Sequence, residues 1–245
     1  MNILVLAAGG SEAFQAAGYA YPKNLVEVAG KPLLQHVMEN VSTAQGRLIV
    51  VLRRDEAAKF HTDQVVRLLD PSAEVVLSPV PTSGAACTAL LAAGFIDHEE
   101  PLLIANGDQL LRLDHQALVQ AFQEKGWDGG IPVFEDVHPK YSYVKLGEDG
   151  LVVEAAEKRP ISRLATAGRY YFSQGRTFVR AAQQMILKDA HLDGIFYVCP
   201  AYNEAVLAGA RIGVLPVEKS AYQSLSTPQG VEAFAAPLAS SARRS

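Results

Sequence analysis

Apolar positions along the chain fall into two alternating patterns. Residues 3–6 (ILVL) form an unbroken apolar run, as expected of a strand covered on both faces. From Pro32 the pattern changes. Leu33, Leu34, Val37, Met38 and Val41 recur at helical spacing behind a proline suited to a first turn. Residues 47–52 (RLIVVL) predict the next strand, and a helix from an Asp55 cap to about residue 69 follows it. Then come a strand at 74–78, a small-residue helix at 83–95, a strand at 102–105, and a helix at 113–125 capped near Asp114. Strands that alternate with helices imply a largely parallel sheet joined by right-handed crossovers.

Past residue 130 the alternation stops. Residues 130–134 predict a strand. Residues 141–146 and 151–157 flank Gly147-Glu148-Asp149-Gly150 and predict a β-hairpin. A strand at 167–172, helices at 175–187 and 200–208, and a strand at 211–217 complete the pattern. Residues 236–245 are small and polar with a basic end, which predicts a flexible tail. The expected organisation is one continuous domain over residues 1–235. An α/β half at 1–130 precedes a mixed half at 131–235 that is suited to shape a substrate pocket.

Candidate chemistry gathers where predicted strands end. The first strand runs into Ala7-Ala8-Gly9-Gly10. Glycine permits a sharp turn and a close approach of ligand to backbone, and N–H groups exposed there attract phosphate oxygens. Lys23 would bring a full positive charge to the same phosphates; a tight turn beside a surface lysine fits the same residues. Asn106-Gly107-Asp108 ends the strand at 102–105, at the edge where open α/β sheets bind ligands. Asp108 suits Mg²⁺, which takes one or two carboxylates together with substrate phosphates. A turn aspartate or a helix cap is the plain alternative. Glu157-Lys158-Arg159 offers adjacent cations to an anionic substrate, or else is a solvated charged loop. The small residues from Pro81 through Ser83 and Gly84 to Ala86 would let a flat base lie against the backbone, and equally suit a closely packed helix start. Without a Walker-type lysine the segment is not a P-loop. The histidines show no zinc spacing and no GxSxG elbow is present.

Composition narrows the classes. The chain is 49% hydrophobic, enough for a sizeable core, and its net charge of −4 carries no basic block of the kind a nucleic-acid binder shows. Cys87 and Cys199 form no CxxC pair and suit a reducing compartment. The start lacks a signal-peptide pattern, and no apolar run reaches the roughly 18 residues of a membrane span. A cytoplasmic protein without nucleic-acid or membrane partners is expected; a homo-oligomer stays open.

Taken in order, these segments resemble the sugar-phosphate nucleotidyltransferases, nearest to the branch found in surface-polysaccharide biosynthesis. The residues that carry the likeness are Ala8-Gly9-Gly10-Ser11-Glu12-Ala13-Phe14, Gly18-Tyr19, Pro22-Lys23-Asn24-Leu25 and Val28-Ala29-Gly30-Lys31-Pro32. Further on, residues 82–91, Asn106-Gly107-Asp108, Tyr143-Val144-Lys145, Glu157-Lys158 and Ala167-Gly168-Arg169-Tyr170-Tyr171-Phe172 stay in register. The resemblance implies a Rossmann-like mixed, mostly parallel sheet flanked by helices. It implies a Mg²⁺-dependent reaction that joins an NTP to a sugar phosphate or related small phosphate ester and releases pyrophosphate. Lys23 and Asp108 would be catalytic, with Asp108 on the metal. Gly9 and Gly10 would cradle the triphosphate, Gly84 would approach the base, and Lys158 would bind the incoming phosphate. Ala8, Ser83, Asn106 and Glu157 would complete the substrate contacts. Two positions depart from the pattern. The loop arginine falls on Ala13, with Glu12 beside it, and Ser224-Leu225-Ser226-Thr227-Pro228 supplies no second metal carboxylate. A binding protein of the same fold that has lost turnover is therefore the alternative. A glycosyltransferase ranks third, because Asp108-Gln109-Leu110 is not an Asp-x-Asp.

Overall fold

The computed structural model describes residues 1–42 and 44–242. Its strands in chain order are β1 (Asn2–Leu6), β2 (Glu27–Val28), β3 (Lys31–Pro32), β4 (Arg47–Arg53), β5 (Glu74–Ser78), β6 (Leu102–Asn106), β7 (Gln109–Leu111), β8 (Gly129–Glu135), β9 (Ser142–Leu146), β10 (Val152–Glu157), β11 (Leu164–Thr166), β12 (Arg169–Phe172), β13 (Ile212–Pro216) and β14 (Tyr222–Ser224). A 10-stranded sheet runs β10-β9-β11-β8-β12-β6-β1-β4-β5, with β13 beside β8. The block β6-β1-β4-β5 is parallel, as the strand–helix alternation requires. β12 reverses direction beside β6 and carries the sheet into the second half. There β8, β11, β9 and β10 pair antiparallel, while β13 lies parallel to β8.

Alternate residues of β1 explain its unbroken apolar run. Leu4 and Leu6 face one layer with Ile49, Val51 and Ile104, under the helices Ala85–Leu90, Gly175–Leu187 and Ala201–Leu207. Ile3 and Val5 face the other layer with Val50, Leu52 and Leu103, under Leu33–Val41 and His115–Glu124. Burying each such side chain stabilises the fold by about 1.5–3 kcal/mol, so the central strands are rigid anchors for the loops at their ends.

Several elements differ from the pattern read along the chain. The helix expected at 55–69 is two, Arg54–Phe60 and Thr62–Leu69, because His61 turns left-handed at φ 56. Asp55 lies inside the first turn instead of capping it. The helix expected at 83–95 divides into Ala85–Leu90 and Ala93–Ile96, where Leu91 and Ala92 tighten onto the carbonyls of Thr88 and Ala89. The strand expected at 167–172 is interrupted at Gly168, φ +66, which separates β11 from β12. Asp114 does cap its helix, accepting from the N–H groups of Gln116 and Ala117, and the β9–β10 hairpin forms as expected. The helix Pro228–Ala242 occupies most of the stretch expected as a tail; residues 243–245 of that stretch lie outside the described residues. Among the described residues, no helix is long and apolar enough to cross a membrane.

Candidate active site

The parallel strands end at one edge, and the polar residues sit on the loops there. The N–H of Ala7 donates to Val51 O at 2.9 Å, so β1 stays paired until the chain turns away at Ala8. The N–H of Gly107 donates to Leu6 O at 3.0 Å. A Cβ on Gly107 would stand 2.5 Å from that same carbonyl. Only glycine lets the chain cross the end of β1 this closely. That crossing sets Asp108 beside the loop at 8–10.

Lys23 arrives from a separate segment. Its Nζ donates to Asp108 Oδ2 at 2.6 Å, with the two side chains 8% and 21% exposed. The ammonium also lies against Gly9, 3.2 Å from where a Cβ would be. The short turn Lys23–Leu25 is fixed from below. The Lys23 N–H donates to Ser11 Oγ at 2.9 Å, Asn24 Nδ2 donates to Ala7 O at 2.8 Å, and Ser11 Oγ donates to Glu56 at 3.0 Å. Sequence therefore sets Lys23 by tying its turn to the glycine loop through Ser11 and Asn24.

Burial raises the Glu56 carboxyl above its ordinary value of 4.5, and the Ser11 bond offsets only part of this. An acid whose folded-state pKa is raised favours the folded state most while it is protonated. Its contribution is present below 4.5 and is lost as pH rises through the raised folded-state value. Glu56→Gln, held neutral at every pH, is expected to lose this slope. Urea midpoints measured from pH about 4 upward should show the variant gaining on the wild type across that window. Parallel curves would show that Glu56 titrates alike in both states.

A cleft of about 480 Å³ opens along this edge, and Ala8, Gly9, Gly10, Gly84, Asn106, Asp108 and Glu157 line it. Gly84, at φ +114, could not carry a side chain: a Cβ would stand 2.4 Å from Phe196 O. The loop is thus pressed against Ile195 and Phe196. Glu157 accepts from Ser142 Oγ, and burial pushes its carboxyl up. Ser83 and Lys158 are not among the lining residues. The Ser83 carbonyl accepts from the Phe196 N–H at 2.8 Å, and Lys158 Nζ bonds Tyr197 Oη at 2.9 Å. Tyr197 itself lines the cleft, with Tyr141, Tyr170 and Tyr222.

The residue most hidden from sequence reasoning is Arg169, which is fully buried. Its guanidinium donates to Gln109 O and Asn40 Oδ1 at 2.9 Å, to Gly168 O at 3.0 Å, and to His115 Nε2 at 3.2 Å. Burial lowers its pKa to about 10, so it stays charged at neutral pH. Burial, and then the arginine, drive His115 down to about 3, which leaves it neutral and able to accept. Arg169 thereby fixes Gln109, the residue after Asp108, and places a positive charge behind that carboxylate. The only signal in the sequence is an arginine inside the apolar run Ala167-Gly168-Arg169-Tyr170-Tyr171-Phe172.

The donor set also fits a magnesium ion held jointly with a substrate. Among the described residues there is no cluster of three or more His, Cys, Asp or Glu that would cage a metal by itself. Asp108 faces the cleft and spends Oδ2 on Lys23, which leaves Oδ1 for an ion that prefers substrate phosphates and water as its other ligands. The N–H of Leu225 donates to Asp108 O at 2.8 Å, so the segment carrying Ser224 closes against the same turn.

Comparison with known proteins supplies a family. The model of the MobA-like NTP transferase domain matches residues 3–184. The chain belongs to the MobA-like NTP transferase family. The mannose-1-phosphate guanylyltransferase catalytic subunit beta of Drosophila pseudoobscura pseudoobscura is 28% identical over 179 residues, covering 69% of this chain and 47% of that protein. The bifunctional protein GlmU of Methanocaldococcus jannaschii is 25% identical over 178 residues, covering 71% and 40%. The chain thus spans about half, or less, of the length of these curated relatives. In fold it is similar to a nucleoside-diphosphate-sugar pyrophosphorylase from Vibrio cholerae RC9, with a TM-score of 0.81, 22% identity, and coverage of 96% of this chain and 100% of that one. This MobA-like domain match ends before Tyr197 and Tyr222, yet both reach back to line the cleft.

Proposed function

We propose that the protein transfers a nucleotidyl group from an NTP to a sugar phosphate or a related small phosphate ester. An oxygen of the acceptor phosphate attacks the α-phosphorus, the bond from that phosphorus to the α–β bridging oxygen breaks, and pyrophosphate leaves with the bond's electron pair. Such chemistry needs in-line positioning and charge neutralisation far more than covalent help. The observation that carries the reading is the Lys23–Asp108 pair, 2.6 Å apart, set against the glycine loop at the strand-end edge of the cleft. Lys23 holds a positive charge where the departing pyrophosphate gathers negative charge. Asp108 would hold Mg²⁺, which supplies charge neutralisation at the α-phosphate when bound. Glu157, braced by Ser142 on the opposite wall, is an acceptor for acceptor-sugar hydroxyls. The sugar-phosphate class is supported by the relative whose name specifies a mannose-1-phosphate guanylyltransferase.

The test is pyrophosphate release with Mg²⁺ across a panel of NTPs and sugar 1-phosphates. Turnover with one pair is expected. Absence of release with every pair, while an NTP still protects the protein against heat, would favour a nucleotide-binding protein without turnover.

A further inference from the structure

A nucleoside triphosphate carries several negative charges into this cleft, and the loop at 8–13 offers no cation of its own. It offers the reverse. The Glu12 carboxylate folds back over Gly10 and fills the space that a Cβ there would take. Lys23 is already committed to Asp108. Lys140 lines the cleft from the second half, beside the Tyr141 ring. Arg53 is the other cation among the lining residues, and it stands at the end of β4.

We infer that Arg53, delivered from the strand neighbouring the glycine loop, grips the β- and γ-phosphates of the NTP. The inference rests on the nucleotidyl-transfer reading above. Sheet order gives the direction. β6, β1 and β4 lie side by side and parallel, so Asp108, the loop at 8–10 and Arg53 follow one another along the same edge. A triphosphate whose α-phosphate lies at Asp108 and Lys23 extends across Gly9 and Gly10 towards Arg53. The guanidinium is already oriented: Nε and Nη2 donate to the two oxygens of Asp55 at 3.0 and 2.5 Å. Those bonds use two of its five N–H groups and leave the Nη1 side of the fork for phosphate oxygens. The side chain is 23% exposed, sheltered enough that solvent screens it less than a surface arginine. The Asp55 bond, with Glu12 as a lesser influence, also holds the guanidinium firmly charged.

The experiment compares wild type, Arg53→Ala, Arg53→Lys and Arg47→Ala in steady-state turnover. Inorganic pyrophosphate and the matching nucleoside monophosphate serve as inhibitors. Arg53→Ala is expected to raise the NTP KM and the pyrophosphate Ki by about 10- to 100-fold, the worth of charge-assisted hydrogen bonds. The monophosphate Ki should move less than about twofold, since that ligand lacks the phosphates in question. Arg53→Lys should recover part of the loss, because an ammonium restores charge without the fork. Arg47→Ala removes the same charge from the far end of β4, where it pairs with Glu74, and should match wild type. An unchanged NTP KM in Arg53→Ala overturns the inference. So does equal weakening of monophosphate and pyrophosphate, which would mark Arg53 as a support for the fold alone. A wild type that neither binds NTP nor releases pyrophosphate would instead defeat the nucleotidyl-transfer reading.

Discussion

Asp108→Asn is expected to lower Mg²⁺-dependent turnover by about 10³-fold or more while leaving the fold intact. The asparagine amide is nearly the size of the carboxylate and keeps an oxygen for the Lys23 ammonium, so the 2.6 Å contact can survive. The N–H of Leu225 still finds the residue-108 carbonyl, and Gly107 still crosses the end of β1. What disappears is the negative charge facing the cleft, and with it the attraction for a divalent ion that a neutral amide scarcely provides. The deficit should therefore shrink when Mg²⁺ is raised well above the wild-type requirement, and the concentration of Mg²⁺ giving half-maximal rate should rise. A thermal melt near that of wild type separates this loss from unfolding. Turnover and Mg²⁺ dependence both equal to wild type would take Asp108 out of the chemistry.

How far the sequence reveals this site depends on distance along the chain. β1 and β4 are legible because strands covered on both faces are apolar at nearly every position, and the two core layers share Leu4, Leu6, Ile3 and Val5 alternately. The turn at Asn106-Gly107-Asp108 is legible as a strand end, although the reason for its glycine is not: the carbonyl of Leu6, a hundred residues away in sequence, is what excludes a side chain. Arg53 is invisible for a related cause. Arg53 falls between the predicted strand at 47–52 and the predicted Asp55 cap, where nothing local singles it out, and only the order β6-β1-β4 brings it to the cleft. Glu56, next to Asp55, is buried beneath Ser11, which no local pattern signals. Lys158 shows the converse. Its neighbour Glu157 reaches the cleft, but its own ammonium is placed on Tyr197, from a segment with no sequence signal for this role. Short-range periodicity sets the elements; partners brought together by the sheet set the side chains.

Lys23→Met should lower kcat by about 10²–10³-fold, comparable to losing one preorganised donor at a developing negative charge. Methionine keeps an unbranched stem in a pocket where Lys23 is 7% exposed, so packing around the turn is disturbed little. The turn itself does not depend on the ammonium: the Lys23 N–H on Ser11 and the Asn24 amide on Ala7 hold it in place. Lys23→Arg is not expected to rescue, because the ammonium lies against Gly9 and a planar guanidinium needs room the loop does not leave. The double variant with Asp108→Asn should fall well short of the product of the two single losses, since the two side chains are in direct contact and each single change already disrupts the pair. The kcat at saturating Mg²⁺ decides between a chemical and a purely structural lysine. If Lys23 serves only as the counter-ion of Asp108, its removal frees that carboxylate, tightens Mg²⁺ and leaves kcat within about threefold. If it stabilises the departing pyrophosphate, kcat stays low however much Mg²⁺ is supplied, and the single-turnover rate with enzyme in excess is reduced by the same factor.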